Sequence, residues 1–312
     1  MRGFIALLLL ASASSMAAAA SRPDWAFPTK PAQAVPAQPD DGKPKQVAGS
    51  SKSYTQKQID DPMNPPDWFP DEHPPMPQVV AHGGASGVRA CIGCHLPTGL
   101  GHPENSRVPG GTAAYLLHQL ADFRSGARKG EAGGAMVTIA KGLTEDEMKA
   151  AVGYFSSLKP APWTRVVETD TVPKSYFKGT ARLPLPDGGT EPIGNRIIEL
   201  PEDLARFEMR DPHSGFVSYV PVGALAKGEA LVKTGGGGTT LPCAICHGPD
   251  LKGIGDVPGI AGRSPGTIAR QLYYIQTGDR AAPAAALMKG VVEKLSGDDI
   301  LAISAYVASR EP

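Results

Sequence analysis

Two stretches decide the fold: Cys91-Ile92-Gly93-Cys94-His95 and Cys243-Ala244-Ile245-Cys246-His247. Each reads C-x-x-C-H, and together they use all four cysteines of the 312-residue chain. The spacing is that of a covalent haem attachment site. Two thiols one helical turn apart reach the two vinyl groups of one porphyrin, and the following His projects its imidazole onto the iron. In a secreted chain four cysteines are otherwise read as two disulfides. A structural zinc site gathers two close pairs, whereas these pairs stand 152 residues apart. A thioredoxin-like pair needs a βαβ context, and neither motif has one. Two covalently attached haem c groups, each with its iron, are therefore expected. Cys91, Cys94, Cys243 and Cys246 would attach them, and His95 and His247 would be the proximal ligands.

The motifs belong to an internal repeat. A shift of 152 residues places Gly101 on Gly253, Gln119-Leu120 on Gln271-Leu272, Gly126 on Gly278, Arg128 on Arg280, Met136 on Met288, Leu143 on Leu295 and Tyr154 on Tyr306 without a gap. This is two copies of one unit of roughly 70 to 80 residues. So small a unit lacks core of its own, and a covalent haem supplies an apolar body to fold around.

The repeat also points to the sixth iron ligand. Met136 and Met288 each lie 45 residues after the first cysteine of their copy. A methionine is ordinarily core filler, but here both copies carry it at the same place, between a loop and a helix. Thr144-x-x-Glu147 reads as a capping box for that helix, and Ser296 with Asp299 is a weaker version. Apolar spacing continues through Met148, Ala151 and Phe155, and through Ile300, Ile303 and Val307. Met148, the rival ligand, aligns with Ile300 inside the helix and is read as core. A middle helix is expected around Tyr115–Phe123 and Thr267–Ile275, ending at Gly126 and Gly278. A short amphipathic helix is expected from Gly223 to Lys233.

Each copy resembles a class I cytochrome c domain: C-x-x-C-H, a Gly/Pro loop, a Gln-Leu helix, a methionine and a terminal helix with Tyr. The pair resembles periplasmic two-haem cytochromes c. The resemblance covers about 86–160 and 222–310, roughly half the chain. It implies small all-α domains, each wrapped on one haem. It also implies that the Pro258 carbonyl accepts the proximal His247 ring N–H, which orients the ring. The first copy departs: Ser106 stands at that position, Pro109 is displaced by three, and only Pro77–Ala81 precedes the motif where a helix is expected. A more exposed first haem, or one packed by something outside the repeat, follows.

The expected fold is mainly α: two class I cytochrome c domains, 71–160 and 222–312, joined by a small irregular β-containing insert at 161–221. Thr164–Glu168, Arg196–Leu200 and Phe216–Val220 read as its strands, and Pro201–Arg206 as a turn or two of helix. Residues 1–20 read as a secretory signal: Arg2, an apolar run Phe4–Leu10 and a small-residue tail ending at Ala20. The alternative is a retained anchor. Residues 21–70 read as a disordered Pro-rich arm. Its Trp68 and Phe69, among prolines, are expected to dock on the protein's own first domain, with a partner contact as the alternative.

Lys+Arg and Asp+Glu are 31 each, so no basic excess exists to bind nucleic acid. No later segment is apolar enough to span a membrane. His73, His82, His102, His118 and His213 do not repeat and are read as surface or ordinary hydrogen-bonding groups.

With both axial positions filled, neither iron offers a site for oxygen, peroxide or substrate. The expected function is therefore electron transfer, not catalysis: single electrons pass in the periplasm between a dehydrogenase or quinol oxidoreductase and a terminal acceptor. The redox partners would be proteins such as a dehydrogenase or oxidase. The alternatives are a cytochrome subunit held in a dehydrogenase complex and a di-haem peroxidase, which needs one open iron.

Overall fold

In a computed structural model, residues 22–27, 40–130 and 134–312 are described. The segment read as a signal lies outside them. In chain order the first part carries α1 (Gln56–Ile59), α2 (Gln78–Ala81), α3 (Ile92–His95), α4 (Ala113–Ser125), α5 (Ala135–Gly142) and α6 (Glu145–Ser157). Local chemistry sets their ends. The Thr112 hydroxyl accepts the Tyr115 N–H at 3.1 Å to start α4, and Gly126 at φ 82° ends it. A left-handed residue there satisfies the last carbonyls and favours glycine. Thr144 and Glu147 close a full capping box on α6. Helix α4 lies against α5 and α6. Val79, Val80, Ile92, Leu143, Met148, Tyr154 and Phe155 form the buried core.

The insert follows. Strands β1 (Thr164–Glu168), β6 (Ile198–Pro201) and β7 (Phe216–Val220) form a sheet in the order β1-β7-β6. β1 runs parallel to β7 with Val166 opposite Ser218, and β6 antiparallel to β7 with Leu200 opposite Val217. β2 (Thr171–Pro173) pairs with β5 (Thr190–Pro192), and β3 (Ser175–Lys178) with β4 (Ala181–Pro184). Asp203 caps the short α7 (Leu204–Glu208).

The last part has α8 (Ala224–Thr234), α9 (Ala244–His247), a small β8–β9 hairpin (Gly253–Ile254, Val257–Pro258), α10 (Pro265–Thr277), α11 (Pro283–Val292) and α12 (Gly297–Ala308). Ser264 and Gly278 bound α10 as Thr112 and Gly126 bound α4. Ser296 and Asp299 form a complete box on α12, stronger than its sequence promised. Helix α8 crosses α12 closely, since a Cβ at Gly228 would run into the Ala302 carbonyl. Met136 and Met288 lie inside helices, α5 and α11, rather than between a loop and a helix.

The arm corrects an expectation. Within 40–70 the chain is folded, not disordered: Lys45 pairs with Tyr54, and a Thr55–Gln58 capping box starts α1. Val47, Ile59 and Trp68 form a buried cluster with Tyr54 and Met209 packed on it. Trp68 is 1% exposed, stacks edge-on against Tyr54, and donates its indole N–H to the Met209 carbonyl at 2.7 Å. The arm's apolar residues are few but large. A single buried Trp brings 150–250 Å² of burial, which the averaged composition hides. Farther back, Phe27 packs edge-on against Tyr273 and Tyr274, so 22–27 lies on the second core. Among the described residues no helix is long and apolar enough to cross a membrane.

Candidate haem-binding sites

Each motif is one helical turn. The His95 N–H bonds the Cys91 carbonyl at 2.9 Å, and the His247 N–H bonds that of Cys243 at the same distance. The four cysteines are free of disulfides. Among the described residues no three His, Cys, Asp or Glu side chains gather as a zinc site requires.

His95 Nδ1 lies 3.1 Å from the Ser106 carbonyl, and His247 Nδ1 lies 2.8 Å from that of Pro258. A carbonyl only accepts, so Nδ1 carries the proton and Nε2 keeps the lone pair that binds a metal. Ser106 therefore does what Pro258 does, because the acceptor is backbone and any residue supplies it. Burial pushes the pKa of His95 down to about 4 and lowers that of His247, keeping both rings in the neutral, ligating form.

Beside the first motif lies a cavity of about 1010 Å³, lined by Cys94, His95, Leu120, Met136, Phe155 and Arg107 among others. That is the top of the range for cofactor-sized sites, about 300–1,000 Å³. Met136 and His95 both line it. Met288 is half-buried against the second core, and Cys243 packs on the same core. Met148 is 2% exposed in the first core and its sulfur receives Arg124 Nη2 at 2.6 Å, which agrees with its reading as core.

The polar wall of this cavity also fits haem. Arg107, Arg128 and Arg263 line it. Burial, and then the neighbouring guanidinium, pushes Arg107 and Arg128 down to about 9. Arg107 Nε is buried without a protein partner. A buried guanidinium with an unpartnered Nε, beside two further guanidinium groups, suits the two propionate carboxylates of a haem.

These arginines also join the repeats. Arg128 donates to Gln119 at 2.8 Å and to Gln271 at 3.0 Å; Arg280 donates to Gln271 at 3.1 Å and to Gln119 at 3.0 Å. Backbone bonds run from Lys129 to Asp279 and from Ala281 to Ala127, both 2.9 Å. The residues that marked the repeat in sequence thus meet across a local two-fold axis. Gln119 and Gln271 lie within α4 and α10, while Arg128 and Arg280 stand two residues past the glycines that end those helices.

Of the two settings expected for the other histidines, surface or ordinary hydrogen bonding, His102 takes the second. It is buried in the cavity wall, with Nδ1 3.4 Å from Glu104 and its ring against Phe207. His73, His82 and His213 hydrogen-bond to Asp67, Asn64 and Glu72, and His118 is exposed. The insert supplies Lys178, Phe207, Met209 and Arg210 to the same wall.

No model of a known protein family matches the chain. A "Thiosulfate dehydrogenase electron acceptor" from Stutzerimonas stutzeri is 29% identical over 237 residues, 74% of this chain and 84% of that one. "Cytochrome c-554(548)" from Halomonas halodenitrificans is 31% identical over 78 residues, 25% of this chain and 94% of that one. A solved thiosulfate dehydrogenase from Marichromatium purpuratum superposes with a TM-score of 0.50 at 29% identity, over 72% of this chain. This chain spans 37% of that structure. The chain belongs to the c-type cytochromes. It carries two covalently bound haem c groups, and its chemistry is electron transfer between redox partners.

Proposed function

We propose that the protein is a periplasmic di-haem carrier that takes single electrons from a dehydrogenase or quinol oxidoreductase and delivers them to a terminal acceptor. The haem iron supplies the one-electron change of valence. Cys91, Cys94, Cys243 and Cys246 would hold the porphyrins, and His95 and His247, oriented by the Ser106 and Pro258 carbonyls, would ligate the iron. Met136 and Met288 would supply the thioether ligands, which would raise the potential relative to stronger donors. Residues 71–160 and 222–312 are the two haem units, 161–221 the insert, and 1–20 the export signal. The observation that carries this reading is the matched histidine–carbonyl bond at both motifs.

The test is the optical spectrum of the reduced, matured protein with and without carbon monoxide, beside a haem count. Two haems per chain and an unchanged c-type spectrum are the expected outcome. A shift in half of the haem overturns the six-coordinate assignment and favours a peroxidase-type enzyme.

The likeness to the thiosulfate dehydrogenase electron acceptor over most of that protein's length supports a second reading. Here the chain receives electrons as the dedicated partner or subunit of a dehydrogenase. Copurification of a catalytic chain separates the two.

A further inference from the structure

One position inside the attachment motif separates the repeats: Gly93 in the first and Ile245 in the second. Gly93 faces the arm, where a Cβ would lie 3.5 Å from Pro65 Cγ and 3.6 Å from the Pro62 carbonyl oxygen. That Pro62 carbonyl also accepts the Ala90 N–H at 3.1 Å. The Gly93 carbonyl accepts Arg210 Nη1, from the insert, at 2.5 Å. Arg210 holds φ 55°, a left-handed conformation uncommon for a residue with a Cβ. The preceding Met209 carbonyl takes the Trp68 indole, so arm and insert are bonded to one another where they meet the motif. Ile245, at the matching position, is 67% exposed.

Covalent attachment fixes which porphyrin edge lies at each motif, namely the edge that bore the two vinyl groups. Whatever covers the motif covers that edge. Electron transfer between proteins falls steeply with the separation of the redox groups, so a covered edge is a poor port.

We propose that the arm and the insert close the first attachment edge, and that electrons enter and leave the protein at the second motif, beside Ile245. They reach the first site only from within the molecule. An external one-electron redox protein loses one electron as the second site gains it, and the same electron then passes to the first site; the reverse path empties both. This rests on the di-haem carrier reading.

The test uses the holoprotein and ascorbate, an anionic reductant. Ile245→Glu is expected to slow reduction across the whole absorbance change by about fivefold at low ionic strength, and Ile245→Lys to speed it, with the gap closing in salt. Slowing confined to half of the amplitude gives the first site a port of its own and overturns the proposal, as does no response to either charge. Independently, a soluble gadolinium chelate should broaden one of the two sets of haem methyl NMR signals. Both sets should broaden in Arg210→Ala, and equal broadening in the unaltered protein overturns the proposal. Failure of the carrier reading looks different: fewer than two haems per chain, or carbon monoxide binding before any variant is made.

Discussion

The two repeats solve one problem with different material. In the second, the 11-residue α8 stands before the motif and packs on α12, closely enough to need Gly228 at the crossing. In the first, the 4-residue α2 stands there, and the missing wall comes from the arm and the insert. A unit of this size does not carry surplus core. When a helix is lost from it, the cover must come from elsewhere in the chain, and it comes with strings attached. Trp68, Met209 and Arg210 tie the first site to segments that the second site does without.

Substitutions at matched positions probe this difference, and the largest effects belong to the sulfur ligands. Met136→Ala and Met288→Ala should each open one iron to carbon monoxide and lower its potential by on the order of 0.2 V, since axial ligands span about 0.8 V. If the cover matters, carbon monoxide should bind more slowly in Met136→Ala than in Met288→Ala.

Next comes Trp68→Ala, expected to cost about 3–5 kcal/mol in denaturant unfolding of the holoprotein. It should loosen the first site while leaving the second haem's spectrum in place. Gly228→Ala is the mirror experiment, overpacking α8 on α12 at about 1–3 kcal/mol and perturbing the second site. If both variants disturb both sites equally, the two halves are not separately supported.

A smaller effect is expected for Arg128→Gln. Losing a half-buried cation beside the first cavity should lower the first potential by on the order of 60 mV, the one-electron equivalent of about 1.4 kcal/mol, as read by redox titration. The smallest concerns Glu147, whose carboxylate accepts the Thr144 and Ala85 backbone N–H groups and is held below its ordinary value of 4.5. A depressed acid stabilises the fold above its unfolded pKa and loses that contribution as pH falls through the folded one. Glu147→Gln should therefore lower the melting temperature slightly at pH 7 and match the parent in strong acid.

Much of this was legible in the chain itself. Cys91 to His95 and Cys243 to His247 marked both attachment motifs because covalent attachment needs fixed spacing. Thr144, Glu147, Gly126 and Gly278 marked helix ends because caps are local chemistry. The cover was not legible. Trp68 meets Met209 from 141 residues away, and no local pattern reports such a pairing. The parallel pairing of β1 with β7 is hidden for the same reason. Helices α5 and α11 escaped because Gly and Ala around Met136 and Met288 blur the apolar period. His102 carries no repeat signal because it is buried against Phe207 and Phe216 of the insert, which does not repeat either.

The contact between the halves has one more consequence. Gln119 receives its own arginine and its neighbour's, and so does Gln271. A patch that pairs with its own counterpart is the self-complementary surface of a two-fold dimer, here written into one polypeptide. Tethering makes that association intramolecular, so it persists at any dilution. A change at any one of these four residues is then felt on both sides of the axis.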